Sequence, residues 1–137
     1  MRHWLQINMP GNQVVIHYSN IGRTKTFGHP KYVHPFAALS YARYPRSVWH
    51  REDFLHPDVV LIDGRFRVGC FLVTISKIEK PTTILVDDYK LRKSYHIVED
   101  LIEPTSFVGW MALFEATPKP LSTREWLPYL RKSLNPA

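Results

Sequence analysis

Two short apolar runs of this sequence end in aspartate. Asp58-Val-Val-Leu-Ile-Asp63 is followed by Gly64, and Thr82-Thr-Ile-Leu-Val-Asp87 is followed by Asp88. Carboxylates are hard oxygen donors, and neighbouring strands lie about 4.8 Å apart. If the two strands are neighbours, carboxyl groups at their matching ends can converge on one hard cation, with Asp63, Asp87 and Asp88 as oxygen donors. The same residues have a structural use, Asp63-Gly64 as a strand-ending turn and helix cap and Asp87-Asp88 as the cap of the next turn. Two runs that end alike on one sheet edge keep a shared ligand or metal site open beside that use.

Arg65 and Arg67 follow Asp63 directly. At helical spacing one of them reaches the crevice while the other points away. Each has two uses, pairing with Asp63 or Asp58 at the surface or holding an anionic ligand or substrate carboxylate through the planar guanidinium. His96 and Glu99, three apart on a helix, have a spacing that metal sites also use. The single Cys70 has no internal disulfide partner and reads as a buried structural thiol in the apolar stretch Val68-Gly-Cys-Phe-Leu-Val73.

These residues are positioned by a regular pattern that begins at Pro57. The run 58–63 is apolar without alternation, which suits a strand covered on both faces of a parallel sheet. Arg65 to Ile78 carries apolar residues mostly three and four apart and reads as an amphipathic helix stopped by Pro81. With Thr82–Asp87 as a second buried strand, the three elements make one βαβ unit, and its two acidic ends share an edge. A further helix is expected over Ser94–Ile102. A terminal hairpin is expected from Thr105–Gly109 and Met111–Glu115. Ser122-Thr-Arg-Glu125 matches a capping box that opens a last helix, against which Pro128 argues.

Before residue 57 the pattern is irregular. One strand is expected over Gln13–Tyr18, then loop from Ile21 to Pro35, then a short helix over Phe36–Tyr44 ending before Pro45.

The 137 residues fit one domain. With 45% hydrophobic and 22% charged residues the composition is that of a folded globular protein. The apolar runs fall far short of the roughly 20 residues that span a bilayer, and no secretory leader is visible, so a cytoplasmic location is expected. The net charge of +6 is scattered in small groups, at Arg23-Thr-Lys25, Lys90-Leu-Arg-Lys93 and Arg131-Lys132. No nucleic-acid motif joins them, and a solvated basic surface or an anion pocket is favoured over nucleic-acid binding.

Val60-Leu-Ile-Asp-Gly64, a helix, and then Ile84-Leu-Val-Asp-Asp-Tyr89 resemble the class I S-adenosylmethionine-dependent methyltransferases, most closely the macrocin O-methyltransferase-like group. Ile21-Gly-Arg-Thr-Lys-Thr-Phe-Gly28 resembles a stretch of uncharacterised bacterial methyltransferase-like proteins, so the resemblance covers about Val15 to Glu115. It implies a Rossmann-like α/β domain over residues 1–137, a mostly parallel sheet with a C-terminal antiparallel hairpin, lacking the first strands of the full methyltransferase fold. It implies a magnesium ion at Asp63, Asp87 and Asp88, with Asp63 as the catalytic residue; Arg65, Arg67 and Tyr89 beside them are the candidate substrate-binding residues. The activity implied is methyl transfer from S-adenosylmethionine to a hydroxyl of a small molecule.

Two features depart from that pattern. No Gly-x-Gly occurs in the sequence, which removes the loop that holds the cofactor, and Arg65 stands where the group carries a further acidic residue. The isolated chain is then expected to be inactive or incomplete, or to act as a non-catalytic binding or assembly module that pairs with a second copy through an exposed sheet edge.

Overall fold

The computed structural model describes residues 15–31 and 37–136. Residues 15–20 carry no regular structure. The strand expected over Gln13–Tyr18 is therefore corrected for 15–18, and its first two residues lie outside the described ones. A strand needs a partner ladder, and among the described residues this segment has none; His17 instead bonds Ser47 Oγ through Nε2 at 2.9 Å. The expected loop contains a short 3-10 turn at Thr26–Gly28.

Helix α1, Ala37–Arg46, runs through Pro45 rather than stopping before it. Pro45 forfeits one helix bond, since it has no N–H to give the carbonyl four residues back, and it is buried. Its ring lies 3.6 Å from where a Cβ on Gly69 would stand, so packing overrides the local preference. A 3-10 turn over Ser47–His50 comes next.

Strand β1, Val59–Ile62, leads through Gly64 into helix α2, Arg67–Lys77, and strand β2, Thr82–Val86, returns parallel to β1. The register sets Ile62 opposite Val86, so the residues after them leave the sheet side by side. Strands β3, Ser106–Val108, and β4, Met111–Ala116, form the expected hairpin turning at Gly109. β4 pairs antiparallel with β2, giving the order β1-β2-β4-β3. The expectation of a mostly parallel sheet is thus corrected: one pairing is parallel and two are antiparallel, because the hairpin docks its second strand beside β2.

The core lies on one face of this sheet. Ile62, Ile84, Val86, Ala112 and Phe114 are buried there against Phe71, Leu72 and Ile75 of α2. The opposite face carries Val59, Leu61 and Val108, which are 56%, 58% and 70% exposed. The expectation of a strand covered on both faces over 58–63 is corrected as well: β1 is covered on one, with its inward residues alternating as in any half-buried strand.

The helix expected over Ser94–Ile102 is a 3-10 helix, Lys93–Asp100. Its buried residues, Tyr95 and Val98, are three apart, the repeat that a 3-10 helix brings to one side. Near the C-terminus the capping box forms as expected. Ser122 Oγ accepts from the Glu125 amide at 3.4 Å, and Glu125 Oε2 accepts from the Ser122 amide at 2.8 Å. Around Pro128 the expected last helix is broken into helix α3, Thr123–Trp126, a 3-10 turn over Leu127–Tyr129, and helix α4, Leu130–Ser133.

Candidate functional site

The parallel register brings Asp63 and Asp87 to the same end of the sheet, where the Asp87 amide donates to the Ile62 carbonyl at 3.1 Å. Asp88 follows with φ of +54°, in the left-handed region that aspartate tolerates better than most residues. This turn swings its carboxylate back toward the start of α2.

Arg67 is what the three aspartates meet. It opens α2 four residues after Asp63 and is 4% exposed. Its Nη2 donates to Asp63 Oδ1 at 3.1 Å, and Nη1 reaches Asp88 Oδ2 at 3.2 Å. Nη1 also donates to the Asp87 carbonyl at 2.5 Å, and Nε to the Gly64 carbonyl at 3.0 Å. The Tyr95 ring lies 5.6 Å from the guanidinium carbon, and Arg92 Nε approaches Asp88 Oδ2 at 3.6 Å. Asp87 thus contributes its backbone oxygen to Arg67, while Asp63, 58% exposed at its side chain, keeps an outer side toward solvent.

The magnesium site that the resemblance implies does not fit this arrangement. Among the described residues no group of three or more His, Cys, Asp or Glu is placed to hold a metal ion. The reason is physical: a guanidinium fills the space between Asp63 and Asp88. His96 and Glu99 are also committed elsewhere. His96 Nε2 donates to the Tyr89 carbonyl at 3.1 Å, and its Nδ1 faces Glu99 Oε1 at 3.7 Å.

The other expected residues separate. Of the two arginines, Arg67 turns into the crevice and Arg65 turns away, bonding His29 Nε2 at 3.0 Å and the Pro136 carbonyl at 3.3 Å. Tyr89 is 1% exposed and stacks on His96, with ring centroids 4.8 Å apart. Its hydroxyl donates to Glu99 Oε1 at 3.0 Å, and burial together with that carboxylate pushes its pKa well above the usual phenol range. Tyr89 is a core residue here.

A cleft of about 390 Å³ opens beside Asp63 and Gly64. Its walls come from β1, from the end of α1 with Tyr44, and from Trp49 and Phe54, whose rings lie 4.8 Å apart. A Cβ on Gly64 would stand 2.9 Å from the Tyr44 hydroxyl, so any larger residue there would push that end of the ring aside. Burial raises the Tyr44 pKa, with the nearby Cys70 adding to the rise and Arg65 opposing it. The Cys70 thiol borders the cleft, yet burial pushes it up to about 12, which makes it the inert thiol that its apolar setting suggested. The volume falls within the roughly 300–1,000 Å³ of small-ligand sites. An apolar and aromatic wall with one carboxylate at its end suits a flat organic ligand that presents a hydroxyl.

The aromatic wall was not legible in sequence, since Tyr44, Trp49 and Phe54 follow no period. The Arg67 ion pair had no periodic signal either, because Asp63 lies before the helix and Phe66, with φ of +56°, turns the chain between them.

The chain is similar to the crystal structure of a methyltransferase-like protein from Silicibacter pomeroyi, with 41% sequence identity and a TM-score of 0.86. The match covers 98% of this chain and 70% of that one. No family model matches the chain. No curated protein matches it either.

Proposed function

The chain belongs to the family of methyltransferase-like proteins, and on that premise we propose that its strand-end site serves methyl transfer to a hydroxyl group of a small molecule, with S-adenosylmethionine as donor. The observation that carries this reading is the junction of the cleft with Asp63, a carboxylate held from behind by Arg67 and open in front. The cleft's wall of Tyr44, Trp49 and Phe54 suits the adenosyl part of the donor, while the methionine part has no Gly-x-Gly turn in this sequence to hold it. When bound, the donor supplies a sulfonium methyl, which the acceptor oxygen takes as the carbon–sulfur bond breaks and its electron pair stays on sulfur.

The chain's own residues position the acceptor. Asp63 accepts a hydrogen bond from the acceptor hydroxyl and takes its proton as the new carbon–oxygen bond forms. Arg67 fixes the orientation of that carboxylate through Oδ1. Calorimetric titration with S-adenosylmethionine tests the reading. Saturable binding that weakens when Trp49 is replaced by Ala supports it, and no heat of binding under native conditions contradicts it.

A second reading is favoured by the open face of the sheet, where Val59, Leu61 and Val108 are exposed and β1 forms an edge. In that reading the chain is a non-catalytic binding or assembly module that pairs with a second copy along β1. Size-exclusion chromatography with light scattering separates the two, since a monomer at high concentration argues against assembly.

A further inference from the structure

We propose that Arg67 is the resident cation of the strand-end site, standing where a divalent ion would otherwise sit, and that the site is closed to such ions for that reason. Four oxygens converge on its guanidinium: Asp63 Oδ1 at 3.1 Å, Asp88 Oδ2 at 3.2 Å, and the carbonyls of Asp87 and Gly64 at 2.5 and 3.0 Å. Two carboxylates and two carbonyls are the kind of donor set that a hard cation takes. Here all four are turned toward one side chain.

Arginine suits this place better than a hydrated ammonium would. Its charge is permanent, its planar fork serves several acceptors at once, and it is weakly hydrated, so it stands burial at 4% exposure. Tyr95 supports it from the side at 5.6 Å. An incoming divalent ion needs oxygen ligands at about 2.1 Å in a near-octahedral shell, and the guanidinium occupies that space. It would also meet two positive charges, because Arg92 reaches Asp88 at 3.6 Å. Both charges disfavour a further cation beside the same carboxylates.

This inference concerns the cation alone and stands or falls apart from methyl transfer. Mn²⁺ is titrated into the full chain and followed by electron paramagnetic resonance. The wild type is expected to show no saturable site below millimolar metal, and a one-to-one site that disappears in Asp63→Asn or Asp88→Asn overturns the inference. Arg67→Met supplies the converse. Its Mn²⁺ affinity rises at least about tenfold as ligands are freed, and adding Asp88→Asn removes the gain; a folded Arg67→Met chain no better than wild type overturns the inference. Should that variant not fold, the side-chain Nε resonance of Arg67 in the wild type decides. A signal that Mg²⁺ leaves unmoved and Asp88→Asn shifts supports the inference, and a signal displaced by Mg²⁺ overturns it.

Discussion

Replacing Arg67 with Met removes one buried charge and leaves an apolar chain of similar length. The Gly64 and Asp87 carbonyls each lose a charged donor, and hydrogen bonds to a charged group contribute about 1.5–3 kcal/mol each. The two carboxylates suffer less. Asp63 is 58% exposed at its side chain and recovers solvent, while Asp88 is 34% exposed and keeps Arg92 at 3.6 Å. Exposed pairs of that kind are worth about 0–1 kcal/mol. The net loss expected is about 3–5 kcal/mol, most of it from the two carbonyl bonds. That is a large share of the roughly 5–15 kcal/mol that holds a domain folded. Urea unfolding followed by circular dichroism measures it, with Asp63→Asn as the comparison at under about 1 kcal/mol. An Arg67→Met chain that loses no more than Asp63→Asn would refute the view that Arg67 organises this end of the sheet.

Gly69→Ala should destabilise the chain by about 1–3 kcal/mol in thermal melts, because the new Cβ would stand 2.6 Å from the Ser133 carbonyl oxygen of α4, a backbone atom with little freedom to move. Tyr89→Phe should cost about 1 kcal/mol for the lost bond to Glu99 and leave ligand binding in the cleft unchanged; a binding defect would return Tyr89 to the site. The raised thiol pKa of Cys70 makes a pH prediction. The unfolded thiol ionises near 9 and the folded one at about 12, so the stability linked to keeping it neutral is fully present below pH 9 and is lost as pH rises toward 12. Cys70→Ser should flatten that alkaline decline in melting temperature, and an unchanged decline would assign it to other groups.

The βαβ unit, the hairpin and the capping box were readable because each rests on local pattern: apolar runs ended by aspartate, a three-to-four spacing, a Gly109 turn, and Ser122 with Glu125 at the box spacing. The sheet's mixed character was not, since nothing local in 106–116 says which hairpin strand docks beside β2. The uncovered face was hidden for a related reason. Val59 and Leu61 are as apolar as their inward neighbours, so the run looks two-sided in composition while the structure covers one side. At the site, the sequence placed Asp63, Asp87 and Asp88 at one end of the sheet, as the register bears out. What occupies the space between them depends on which way two nearby arginines turn. That choice is made by tertiary packing, with Arg65 drawn to His29 and Pro136 and Arg67 to the strand ends.

The central claim is that the cleft beside Asp63 receives the methyl donor. Backbone amide chemical shifts recorded while S-adenosylhomocysteine is added to the full chain test it most directly, because they report location without requiring turnover. The account predicts saturable shifts clustered at Tyr44, Trp49, Phe54, Asp63 and Gly64, with the far end of the hairpin around Gly109 silent. An unresponsive spectrum, or shifts gathered away from the carboxyl ends of β1 and β2, would contradict it.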